Sequence, residues 1–223
     1  MKTTISLTLA ALLLAVAPAS ALTVTQTLPY AGTPNLTAPL TFDSFDTSLG
    51  TLQSVEILAD IEVTAGAFVV DNDSPASASV DISYGILATL VSAGEVVFPT
   101  VSANGGDSVS LVLDPDDGDG APIDGSGPDG ATFSMVGFAD SASALTSVVA
   151  HLMSFEDISA GPDFVINMQA NQEFSISGDS GVDGGFLSAD VEGEVTVIYN
   201  YVPEPATMSL LGIGALALIR RKK

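Results

Sequence analysis

The sequence predicts an all-β protein: an antiparallel β-sandwich of jelly-roll or immunoglobulin-like type, flanked by an N-terminal signal helix and a short C-terminal transmembrane helix. Three observations predict the body. Apolar and polar residues alternate with a period of two along several segments. Clusters of Gly, Pro, Asn and Asp separate those segments. No segment keeps the i, i+3, i+4, i+7 apolar spacing of a surface helix over several turns.

The clearest alternation runs from residue 55 to 63. Val55, Ile57, Ala59, Ile61 and Val63 interleave with Glu56, Leu58, Asp60 and Glu62. A second runs from 191 to 201, where Val191, Val195, Val197, Tyr199 and Tyr201 interleave with Glu192, Glu194, Thr196 and Asn200. Each reads as a strand with one buried face. Shorter candidates are 22–28, 39–45, 67–71, 79–90, 96–101, 108–113, 131–136, 151–155, 164–168 and 174–177. Turns are expected at Asp71-Asn72-Asp73-Ser74-Pro75, Asn104-Gly105-Gly106 and Gly178-Asp179-Ser180-Gly181. Residues 141–149 read as a short helix or an exposed turn.

The distribution of charge excludes several functions. The chain has 223 residues, 27 acidic and 5 basic. The basic residues are Lys2, Arg220, Arg221, Lys222 and Lys223, so none lies between Leu22 and Val202. A body without Lys or Arg cannot neutralise phosphates, which excludes DNA and RNA as direct partners. Lys and Arg salt bridges are equally impossible there. Its carboxylates must be solvated, hydrogen-bonded, protonated or metal-bound. There is no Cys, so no disulfide staples the body. It must stand on its hydrophobic core.

The two ends carry addresses. Residues 1–21 read as a secretory signal peptide: Lys2 in the n-region, an apolar run from Ile5 to Ala17, and a small-x-small site at Ala19 and Ala21. Cleavage is expected after Ala21, by signal peptidase following export through the Sec machinery. Residues 202–223 form a tail with three successive parts. Pro203, Glu204 and Pro205 end the last strand, because proline cannot continue the ladder. Met208 to Ile219 is apolar, and Arg220, Arg221, Lys222 and Lys223 form a cationic stop-transfer cluster. Twelve apolar residues make about 18 Å of helix. That is short of the roughly 30 Å hydrocarbon core. The tail is therefore expected to hold the chain transiently in the inner membrane.

This order of Pro-Glu-Pro, apolar stretch and basic terminus resembles the PEP-CTERM sorting signal, over about a tenth of the chain. The resemblance implies recognition by an exosortase at Pro203, Glu204 and Pro205. It also implies a place at the cell surface or in the extracellular matrix, with exopolysaccharide as a candidate partner. A second resemblance lies in the body. The segment Thr41-Phe42-Asp43-Ser44-Phe45-Asp46-Thr47-Ser48-Leu49-Gly50-Thr51-Leu52-Gln53-Ser54-Val55 is similar to the opening of the choice-of-anchor E domain. It implies a β-rich body over residues 22–201 and brings no catalytic residue.

Two groups in the body could carry chemistry. Asp114-Pro115-Asp116-Asp117-Gly118-Asp119-Gly120 is the densest carboxylate cluster. It reads as a solvated acidic loop, or as a calcium site with Asp114, Asp116, Asp117 and Asp119 as ligands. Its spacing does not fit the helix-loop-helix calcium pattern, since Gly118 and Asp119 fall where a ligand and a Gly belong. His151 is the only histidine and is read as a strand residue. Without Cys or a Gly-x-Ser-x-Gly elbow, no nucleophilic triad assembles around it. Catalytic residues are therefore none. The function expected is a non-enzymatic exported surface or matrix protein, processed by an exosortase. The alternative is a calcium-dependent glycan-binding module using Tyr30, Tyr84, Tyr199 or Tyr201 as platforms.

Overall fold

The two strongest alternating segments turn out to be partners. In the computed structural model of the chain, Val55 sits opposite Tyr199, Ile57 opposite Val197, Ala59 opposite Val195 and Val63 opposite Val191. The structure describes residues 20–94, 96–118, 123, 125–134, 137–156 and 164–204. The expected signal helix and the apolar tail lie outside these residues.

The elements, in chain order, are β1 (Leu22–Gly32), β2 (Leu36–Phe42), a 3-10 turn (Thr47–Leu49), β3 (Gly50–Asn72), β4 (Ala78–Ser92) and β5 (Val101–Leu113). They continue with β6 (Gly130–Ser134), β7 (Phe138–Thr146), α1 (Val149–Phe155), β8 (Phe164–Gly178) and β9 (Val182–Pro203). All strand pairings are antiparallel. One sheet runs β1-β9-β3-β6, with β7 also beside β3. The other runs β2-β8-β4-β5. Their apolar faces share one core, in which Phe68 on β3 meets Tyr84 on β4 at 4.7 Å and Phe174 on β8 at 6.1 Å between ring centroids.

The expected jelly-roll or immunoglobulin-like sandwich does not form. The protein is mostly antiparallel sheet, but the sheets are not closed into a sandwich or barrel. That expectation assumed many short strands. Segments 55–63 and 67–71 are instead one strand of 23 residues, carried through register shifts at Leu52/Ser54 and from Thr64 to Phe68. Such irregularities bend a strand without ending it. The edge strands β1 and β2 carry Pro29 and Pro39, which lack the N–H that another strand would use.

Nor is a flanking transmembrane helix found among the described residues. Among the described residues no helix is long and apolar enough to cross a membrane. The α-helix described, α1, has 7 residues. The expected transient anchoring in the inner membrane therefore has no structural support.

Smaller expectations also change. Residues 151–155 are helical rather than a strand, because Leu152 and Phe155, three apart, both turn into the core. Residues 141–146 belong to β7, whose small inward residues Ala142 and Ala144 give little strand signal. Asn104-Gly105-Gly106 lies inside β5 and is no turn. Glycine is required there by close approach: a Cβ on Gly106 would strike the Tyr84 carbonyl, and one on Gly105 the Phe138 ring.

The described body begins and ends at one pole. Leu22 pairs with Tyr201, and Gly50 pairs with Pro203. Gly50 has φ 151°, and a Cβ there would strike the Val202 carbonyl, so β3 can enter the ladder at this point only as glycine. The Asp43–Leu49 connection and α1 pack at the same pole: Phe45 N–H donates to the Phe155 carbonyl at 2.7 Å, and Phe45 meets Tyr201 at 5.3 Å between rings. The 72–78, 114–129 and 178–182 connections lie at the opposite pole.

Two tyrosines fasten segments that are distant in sequence. Tyr199 donates to the Asp43 carbonyl at 2.9 Å, and Tyr30 to the Asp60 carbonyl at 2.7 Å. Burial, reinforced by the nearby Asp43 and Asp60 carboxylates, holds both hydroxyls well above the usual tyrosine range. In the unfolded chain tyrosines ionise near pH ~10. Their stabilisation is therefore complete below that pH and is lost as pH rises beyond it. Tyr199→Phe is expected to cost about 1 kcal/mol at neutral pH. It should also make the loss of stability above pH ~10 shallower in urea titrations. Parallel wild-type and variant curves above that pH would contradict the assignment.

Candidate functional site

The acidic connection after β5 is built on a buried asparagine. Asn72, at the end of β3, donates its side-chain amide to the carbonyls of Asp114 at 2.6 Å and Ala76 at 2.9 Å. Its own N–H donates to the Asp129 carbonyl at 3.1 Å. Asp116 N–H donates to the Ser74 carbonyl at 2.9 Å. These bonds draw the two ends of the loop together. Asp129 is buried, and its Oδ2 accepts the Asp117 N–H at 2.7 Å. Asp116 Oδ1 accepts the Gly118 N–H at 2.8 Å.

The result differs in part from the ligand set read from sequence. Among the described residues, Asp116, Asp117 and Asp129 bring carboxylate oxygens within 4.8 Å of one another. Asp114 is not in that group. Asp119 lies outside the described residues. Asp129 enters from 12 residues beyond Asp117. Its approach depends on the Asn72 clamp, which no local spacing reveals. Three hard oxygen donors gathered this way suit a cation such as calcium.

A second acidic surface lies on the first sheet. On the outer face of the first sheet, Asp60 sits directly opposite Glu194, and Glu62 opposite Glu192. With Asp140 they line an open groove of about 910 Å³. Alternation predicts that each of these side chains points outward. It does not predict the register that sets like charges face to face, an arrangement that is unfavourable in a sheet.

The remaining sequence candidates are structural. His151 Nδ1 lies 2.9 Å from Thr146 Oγ1, and no described carboxylate or nucleophile forms a triad with it. Tyr30, Tyr199 and Tyr201 are buried, and Tyr84 packs on Phe68. No tyrosine is thus left as an exposed platform for a sugar ring, so the glycan-binding alternative finds no support.

The sorting segment begins inside the fold. Val202 and Pro203 are the last residues of β9, with Pro203 buried against Gly50 and Glu204 exposed. Pro205 and the basic residues Arg220, Arg221, Lys222 and Lys223 lie outside the described residues, as does Ala19. Residues 202–223 match the PEP-CTERM protein-sorting motif. That motif is present at the C-terminal end of the chain, and it supports a sorted surface or exported protein.

No curated protein matches the chain. Among solved structures, the infectious bursal disease virus Gx strain gives 10% identity and a TM-score of 0.17, over 86% of this chain and 43% of that one. The VP2 subviral particle of the same virus gives 10% identity and a TM-score of 0.16, over 91% of this chain and 49% of that one. The chain spans less than half the length of these structures. Likenesses this weak carry no argument about fold or function.

Proposed function

We propose that this is a non-enzymatic exported surface or matrix protein whose tail is an address read by an exosortase. The observation that carries the reading is the match of residues 202–223 to the sorting motif. The signal-peptide pattern ending at Ala19 and Ala21 supports export by the Sec route, followed by signal peptidase. Pro203, Glu204 and Pro205 are the residues the sorting enzyme would read. Arg220, Arg221, Lys222 and Lys223 are the basic end of the same address. The absence of catalysis is supported by the lack of Cys and of a second histidine. The segment 41–55 favours a choice-of-anchor E type of body. Exopolysaccharide is the matrix partner that this class of address suggests. Intact mass of the native secreted protein tests the reading. The expected product begins at Leu22 and lacks the basic terminus. A cytosolic product that keeps both Met1 and Lys223 would contradict it.

A calcium site at the acidic pole is the second reading. It is favoured by the convergence of Asp116, Asp117 and Asp129 in a body with no Lys or Arg to offset them. Its role would be to hold the 114–129 connection, with no sugar ligand required. Millimolar calcium is expected to raise the melting temperature of the protein, and Asp116→Asn with Asp129→Asn to abolish the rise. A melting curve unchanged by calcium would remove this reading.

A further inference from the structure

The fold does not stop where the sorting motif starts. The motif match begins at Val202, and Val202 and Pro203 are the last two residues of β9. Val202 pairs with Thr51 and Pro203 with Gly50. Pro203 is buried, whereas Glu204 is exposed. The approach to Gly50 leaves no room for a side chain: a Cβ there would strike the Val202 carbonyl oxygen and stand 2.7 Å from the Pro203 Cα.

This hold on the motif is local. Tyr201 is anchored, with its ring buried 5.3 Å from that of Phe45 and its backbone paired with Leu22 of β1 on one side and Leu52 of β3 on the other. Beyond Tyr201 the pairing with β1 has ended, while the pairing with β3 continues through Val202 and Pro203. The end of a strand opens at a small fraction of the free energy that unfolds the body. Two residues can therefore leave β3 while Tyr199 and Tyr201 stay in the core. An enzyme that reads Pro203 needs its main chain and its ring, and in the folded body both are committed to β3.

We infer that the pairing of Val202 and Pro203 with Thr51 and Gly50 is a latch on processing: the sorting enzyme engages Pro203 only in molecules whose last two β9 residues have left β3, and Gly50 sets how closely the latch shuts. The inference rests on the reading of Pro203, Glu204 and Pro205 as an address. The apparent affinity of the enzyme for the folded chain is then reduced by the fraction of molecules in which the latch is open. The body thereby sets the rate at which its own tail is removed.

The test follows tail removal from the full chain in the cell that makes it, by pulse labelling and intact mass. A Gly-Ser-Gly-Ser spacer inserted between Val202 and Pro203 takes Pro203 off β3 and leaves the sequence from Pro203 to Lys223 unchanged. Gly50→Ala forces Val202 and Pro203 away from β3 without adding length. Each variant is first shown to keep a cooperative melting transition. Thr51→Pro, which removes an N–H at an exposed position opposite Val202, replaces Gly50→Ala if that variant does not fold. Both the spacer and the substitution are expected to shorten the half-life of the full chain several-fold, with the cut at the same distance from Lys223. Half-lives unchanged or lengthened in both would overturn the inference. A gain with the spacer alone would overturn it by showing that reach limits processing, and a gain with the substitution alone by showing that general loosening of the body does. A tail retained by wild type and variants alike would remove the sorting reading itself, and the latch with it.

Discussion

The long ladder between β3 and β9 is the constraint on which the rest of the molecule depends. It joins residues 50–72 to residues 182–203, so the body is complete only when segments more than a hundred residues apart have met. Its inner face is Val55, Ile57, Ile61 and Val63 against Val191, Val195, Val197 and Tyr199, all buried. Each such side chain contributes roughly 1.5–3 kcal/mol on burial. Its outer face opposes that gain, with Asp60 facing Glu194 and Glu62 facing Glu192. Those charges are solvated and screened within about 8 Å at physiological salt. Inner-face burial therefore decides the register. Shifting one strand by one residue would turn Asp60 and Glu62, or Glu192 and Glu194, into the core.

The ladder also fixes where the sorting segment and the acidic cluster lie. One end of β9 carries Pro203 into the sorting segment, beside Gly50 and the Asp43–Leu49 connection. The other pole gathers Asp116, Asp117 and Asp129 through Asn72, the last residue of β3. The address and the acidic cluster are thus held at opposite poles of one ladder. The lack of Lys and Arg between residues 22 and 202 has a consequence at both ends: carboxylates there find backbone N–H groups as partners, as Asp46 does with Ser48 and Asp179 with Ser79.

Much of the β structure was legible because its physical cause is local. The alternation over 55–63 and 191–201 follows from a pleated strand with one dry face. What stayed hidden was long-range. Nothing local to Thr64–Phe68 says that the chain bends and continues instead of turning, so strand length and the openness of the sheets could not be read. Gly105 and Gly106 look like a turn because glycine permits one, whereas here they make room for Tyr84 and Phe138. At the acidic site, the loop was visible in composition, but Asp129 was not visible as a neighbour of Asp117, because Asn72 brings them together from a third segment.

Residue-level hydrogen exchange of the body tests the central claim most directly. If the β3–β9 ladder is the unit on which the remainder rests, amides in 55–63 and 191–201 should exchange last and together, at the rate of global unfolding. The edge pairing of β2 with β8 should open earlier. Exchange of the β3 and β9 amides before those of the second sheet, or at two clearly different rates from each other, would contradict the account.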